Sequence, residues 1–195
     1  MCQLLRESLN QCIQLTDTEF SALMDYFKPA TLSKKTIWQQ MNQPTHRLAF
    51  VIKGIIRGYT IDNQGDEHTL HFARSGGWVN DVSLFLRQNV ARLSLETLEK
   101  TEILYVSFDD IERIFKEIPK MERFFRIMAA RRVAVLEERI CSDLSDTAEQ
   151  KYLNFMNAHA EIAPYIPQYY IASYLGVRPQ SLSRIRKRMA NYSSQ

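Results

Sequence analysis

Three cysteines in 195 residues, Cys2, Cys12 and Cys141, are too few and too scattered for a disulfide scaffold or a zinc ribbon. No C-x-x-C pair occurs, which points to a reducing compartment. No uninterrupted apolar run approaches the roughly 20 residues of a membrane-spanning helix, and the start carries no signal-peptide pattern. A cytoplasmic protein without a membrane partner is expected. Internal repeats and low-complexity tracts are missing too. No serine or cysteine stands in a nucleophile elbow, so an enzyme is not expected. The most telling absence is local. From Ala163 to the C-terminus there is no Asp or Glu, while Arg178, Arg184, Arg186, Lys187 and Arg188 fall in the same stretch. With a net charge of only +3 overall, the basic excess is concentrated there, as a polyanion-binding element requires.

Metal chemistry finds little support. Glu67, His68 and His71 form the one candidate cluster for a cupin-like metalloenzyme, but residues 68 and 71 lie an odd number apart and a regular strand sends them to opposite faces. His46, His68, His71 and His159 offer no haem motif, and the thiols are too few for an iron–sulfur centre.

What is present falls into blocks. Thr16-Asp-Thr-Glu19 reads as a capping box before Phe20, Leu23, Met24 and Phe27, with Pro29 closing the helix. From Ala30 to about Ser107 short β-type runs alternate with turns: Leu48-Ala-Phe-Val-Ile-Lys-Gly54, Ile55-Ile-Arg-Gly-Tyr-Thr-Ile61, residues 67–73 and residues 103–106. Asp62-Asn-Gln-Gly65 is a hairpin signal. A small β-barrel or roll follows. Helical period returns at Phe108 and runs to Glu117; after Pro119 a long helix spans roughly residues 120–142. Its Leu136, Ile140 and Leu144 stack at spacing four, which suits packing on the roll or, the favoured reading, a dimer seam. Ser145-Asp146 with Glu149 caps a further helix to about His159, making residues 142–146 the expected hinge.

The end of the chain reads as helix, turn, helix. Ile171, Ala172, Leu175, Val177, Leu182 and Ile185 fall on the inner positions; Ala172 is small where backbones approach. Gly176 suits a left-handed turn, and Pro179 suits the first turn of the second helix.

This order of elements, with Ile171-Ala-Ser-Tyr-Leu-Gly-Val177, Ser181-Leu-Ser-Arg-Ile-Arg186, Gly76-Gly-Trp-Val-Asn-Asp-Val-Ser-Leu-Phe85 and Ser94-Leu-Glu-Thr-Leu-Glu99, resembles the Crp/Fnr family of bacterial transcription regulators over essentially the whole chain. The style of the second helix is similar to Bacteroidetes-type members. The resemblance implies an α+β fold. An N-terminal cyclic-nucleotide-binding-like jelly roll with flanking helices would occupy residues 1–118. A long dimerisation helix and hinge would span 119–145, and a winged-helix-like helix-turn-helix domain 146–195, with the terminal wing strands of relatives expected to be absent. It implies sequence-specific binding of double-stranded DNA by a homodimer, with RNA polymerase as a further partner. Gln180 has an amide suited to adenine and Arg184 a guanidinium suited to guanine O6 and N7. Ser181 and Ser183 suit phosphate contacts, as do Arg178, Arg186, Lys187 and Arg188. Pro179 stands where the best-known members carry a base-reading arginine, so their target sequence does not transfer.

The effector turn departs from the cyclic-nucleotide-binding pattern. Asn80-Asp81-Val82 replaces the Gly-Glu-Leu that holds a ribose, and Ala91-Arg92 replaces the Arg-Ser that neutralises the phosphate. A displacement of one residue turns a strand side chain to the opposite face, and a buried phosphate without its cation is costly. Cyclic AMP is therefore not the expected effector; Trp78, Asn80, Asp81 and Arg92 are the candidate pocket residues, and no cofactor is assigned. The alternative is a small-molecule-binding module whose helix-turn-helix docks protein.

Overall fold

The computed structural model describes residues 2–44, 47–79 and 90–192. The chain divides into two compact units, one of residues 1–58 with 72–133 and the other of residues 59–71 with 134–195.

The first unit opens with α1 (Cys2–Asn10) and α2 (Asp17–Tyr26). Thr16 accepts the Glu19 amide while the Glu19 carboxylate accepts the Thr16 amide, so the capping box forms as read. The helix stops at Tyr26, however, and Pro29 lies inside strand β1 (Lys28–Leu32) rather than ending the helix. Seven more strands follow among the described residues: β2 (Ile37–Gln39), β3 (Arg47–Lys53), β4 (Ile55–Ile61), β5 (Glu67–Arg74), β6 (Trp78–Val79), β7 (Ser94–Thr97) and β8 (Thr101–Ser107). They form two four-stranded sheets, ordered β1-β8-β3-β6 and β2-β7-β4-β5. The α+β fold with a β-roll is what the sequence led one to expect.

Strand β3 shows why its run is apolar at every position. Leu48 and Phe50 join Leu104 and Val106 of β8 in a core shared with the helices, whereas Ala49 and Val51 point into the roll with Ile56, Ala73, Val79, Leu95 and Ile103. A strand buried on both faces reads as a continuous hydrophobic run. At the β3–β4 junction Gly54 has φ +106, and a Cβ there would stand 2.8 Å from the Thr101 Cα, so both backbone conformation and space demand glycine. Helix α3 (Phe108–Glu117), capped by Ser107, contributes Ile111 and Ile114 to the helix-side core.

Helix α4 (Lys120–Ser145) is three residues longer than expected. Met121, Phe124 and Phe125 are buried in the same core, while Val133, Val135, Leu136, Ile140 and Leu144 are exposed, Leu144 by 84%. Strands β4 and β5 and helix α4 each begin in one unit and end in the other.

The second unit contains the β4–β5 hairpin tip, the last part of α4, then α5 (Ala148–Ala158), a single 3-10 turn (Ala163–Tyr165), α6 (Gln168–Leu175) and α7 (Pro179–Tyr192). Here one expectation is corrected: α5 is capped by Thr147, whose hydroxyl accepts the Gln150 amide while Gln150 returns a bond to the Thr147 amide. Ser145 is still helical and bonds back to the Cys141 carbonyl, and the Asp146 carboxylate accepts from Ser142 and Asn154. Gly176 ends α6 at φ 67, ψ 28, and the Val177 amide reaches the Ala172 carbonyl at 3.0 Å, the left-handed termination glycine permits. Phe155, Ile162, Ile166, Ile171, Ala172, Leu175, Leu182 and Ile185 are buried.

Candidate nucleic-acid interface and effector domain

Pro179 takes the first position of α7, where its missing amide hydrogen costs nothing. Leu182 and Ile185, three apart, are 1% and 3% exposed and fix which side of the helix faces inward. The remaining positions are thereby turned out. Arg178, Pro179, Gln180, Ser181, Ser183, Arg184, Arg186, Lys187 and Arg188 are all exposed. Gln180 and Arg184, four apart, share one face. Ser181, Arg184 and Arg188 line a groove of about 360 Å³ against Thr147, Ala148 and Glu149 at the start of α5.

Arg188 is not a free cation. Its Nη2 lies 2.6 Å from Glu149 Oε1, with both side chains partly exposed. Glu149 belongs to the set of side chains around the groove although sequence reasoning assigned it to capping. Nothing in the linear order sets residue 149 opposite residue 188; only the packing of α5 on α7 does.

In the roll, Ala91 is fully buried, its amide donating to the Gln43 carbonyl and its carbonyl accepting from Asn42. Arg92 is exposed. Asn80 and Asp81 lie outside the described residues. Trp78 is packed among rings, 5.0 Å from Phe50, 5.3 Å from Phe124 and 6.2 Å from Phe27 between centroids, and its indole N–H donates to Ser8 Oγ at 3.2 Å. That is the helix-side core, on the opposite face of the sheet from Val79. Among the described residues, the buried cation of the roll is Arg57 of β4, 1% exposed and paired with Glu96 at 2.9 Å.

Residues 31–118 match the family model of the cyclic nucleotide-binding domain. The matched stretch is somewhat under half of the chain. The chain's α+β fold with a β-roll matches that of Crp/Fnr-type regulators. It is similar to the structure of FixK2 from Bradyrhizobium japonicum, with a TM-score of 0.77 at 16% identity over 86% of each chain. It is also similar to CLP, the c-di-GMP-responsive global regulator of Xanthomonas campestris, with a TM-score of 0.74 at 13% identity over 91% of this chain and 93% of that one. The Thermus thermophilus catabolite activator protein aligns with a TM-score of 0.60 at 20% identity, over 95% of this chain and 88% of that one. A comparison with curated protein sequences finds no match.

Among the described residues no group of three or more His, Cys, Asp or Glu is placed to hold a metal ion. His68 Nε2 is 2.8 Å from Asp62 Oδ2, and the His159 ring stacks beside Phe155 and Tyr174. The cysteines are unpaired. No helix among the described residues is long and apolar enough to cross a membrane.

Proposed function

We propose that this chain is a cytoplasmic, sequence-specific DNA-binding transcription regulator of the Crp/Fnr type, not an enzyme, that works as a homodimer and does not take cyclic AMP. One observation carries the reading: α7 holds a layer of exposed cations and amide and hydroxyl donors over buried Leu182 and Ile185, in a stretch with no acid after Glu161. In this reading residues 146–195 form a helix-turn-helix domain and α7 is the reading helix, lying in the major groove. Gln180 and Arg184 face base edges, while Arg178, Ser181, Ser183, Arg186 and Lys187 grip phosphates. Arg188 joins them only by leaving Glu149, so its share of the affinity is the smallest.

The second half of α4 supports the dimer. Val133, Leu136, Ile140 and Leu144 recur at spacings of three and four and are exposed, an apolar stripe that a second copy of the same helix would cover. Two copies place two reading helices on one duplex, with half-sites about one helical turn apart. RNA polymerase is the further partner implied by this type of regulator. The exposure of Arg92 and burial of Ala91 support an effector domain that has lost cyclic AMP.

A salt titration of binding to duplex DNA tests the reading. With about three phosphate contacts per reading helix, affinity falls roughly 10³-fold between 50 and 200 mM salt. An apolar docking face for another protein would be almost indifferent to the same change.

A further inference from the structure

Ser173 lies on α6 shortly before the Gly176 turn, and its hydroxyl is engaged with the backbone of the β4–β5 hairpin. It accepts the Thr69 amide at 2.9 Å and donates to the Glu67 carbonyl at 2.7 Å. Residues 67 and 69 alternate along one side of β5, which is the edge strand of its sheet. A single hydroxyl thus satisfies a donor and an acceptor that a neighbouring strand would otherwise take. Thr69 is 1% exposed, so its amide has little access to water as a substitute partner.

Arg139 of α4 closes the same junction from another side. Its guanidinium donates to the Leu70 carbonyl, to the Thr69 carbonyl at 3.4 Å and to the Tyr174 carbonyl at 2.9 Å. It also stacks 4.3 Å from the centroid of the Tyr174 ring. The Tyr174 carbonyl is one of those a helix leaves unpaired in its last turn, where a cation is favoured. The hairpin itself is braced. The Asp62 carboxylate accepts the amides of Gln64 and Asp66 and pairs with His68.

We propose that Ser173 and Arg139 are positioning residues for DNA recognition: they latch α6 to the hairpin and so set the orientation of α7. The proposal rests on the reading of α7 as a DNA-reading helix. The latch uses none of the α7 side chains, and Gln180, Ser181, Ser183 and Arg184 stay exposed while it is closed. The latched form is therefore open to DNA, and the latch serves to pre-organise it.

The test is Ser173→Ala, Ser173→Thr and Arg139→Gln, read by amide exchange at Thr69 and by DNA affinity across a salt series. Ser173→Ala speeds exchange at Thr69 and weakens DNA binding about fivefold to tenfold, the scale of one lost hydrogen bond. The slope of affinity against salt stays unchanged, because no phosphate contact is removed. Ser173→Thr keeps the hydroxyl and restores both readouts, and Arg139→Gln follows Ser173→Ala. DNA affinity equal to or above wild type in a folded Ser173→Ala protein would overturn the positioning role, and unchanged Thr69 exchange would overturn the latch. A wild-type protein that binds no duplex at all would sink the DNA reading and the positioning role with it. Faster Thr69 exchange in Ser173→Ala would in that case still uphold the latch.

Discussion

In α7 the exposed side chains of Gln180, Ser181 and Arg184 stand over a buried layer of Leu182 and Ile185. At the approach to β7, Arg92 is exposed and Ala91 takes the buried place. Both regions have a well-packed apolar layer, so neither is a degraded piece of fold. The difference lies in which side chains the packing turns outward. The C-terminal segment leaves its cations exposed, while in the roll Arg92 is exposed and the buried arginine, Arg57, is paired with Glu96 at 2.9 Å.

The largest effects come from breaking each region separately. Leu182→Ala opens a cavity beneath α7 and costs about 2–5 kcal/mol in the second unit. Gly54→Ala costs a similar amount in the first, since strain at φ +106 adds to overlap with Thr101. Trp38 and Trp78 are the chain's two tryptophans and both belong to the first unit. Denaturation followed by tryptophan fluorescence therefore shifts for Gly54→Ala and scarcely moves for Leu182→Ala, which instead loses helical circular dichroism and DNA binding early. Identical shifts by both probes in both variants would dissolve the comparison.

Next in size is the seam. Ile140→Glu with Leu144→Glu places charges on the exposed stripe of α4 and weakens self-association about 100-fold, or some 2.7 kcal/mol. Sedimentation of the variant against wild type measures it. A wild-type protein that is monomeric at micromolar concentration would contradict the proposed dimer.

Finer still is the division of labour on α7. Arg184→Ala costs about 1–3 kcal/mol on the preferred site and relaxes one base position. Lys187→Ala weakens all sequences alike and lowers the salt slope by about one. Binding to a panel of single-base variants of the site separates them.

The smallest effect is at the hairpin. The hydrogen bond from His68, followed by the Asp66 and Gln64 amides, holds the Asp62 carboxyl below the usual carboxylate range. A lowered folded value means that the turn's contribution is present at neutral pH and is lost as pH falls through that value. The Asp62→Asn hairpin is accordingly less protected at neutral pH, and the difference from wild type disappears in acid. Amide exchange of Gln64 and Asp66 across pH shows it.

Much of this was legible in the residues themselves. Local signals carried furthest: the Thr16 box, the Asp62–Gly65 turn, the continuous apolar run of β3, and Gly176 followed by Pro179 each answer to the backbone of a few neighbours. Signals with two local solutions misled. Ser145 and Thr147 are both good caps, and the winner is set by where α4 stops, at Ser145. Pro29 looks like a helix stop, yet Phe27 has already turned the chain into β1, paired in register with β8. Helix α1 went unread because only Leu5 and Leu9 bury fully in its nine residues. The partners of Arg139, Ser173 and Glu149 are non-local in sequence, brought together only by packing. No spacing rule reaches across 106 residues from Glu67 to Ser173.

The most direct measurement is selection of bound sites from random duplex DNA by the purified protein at moderate salt, run in parallel with and without cyclic AMP. The account predicts the same inverted repeat in both arms, with half-sites about one helical turn apart. Enrichment only in the presence of cyclic AMP, or no enrichment of any repeat in either arm, would contradict it.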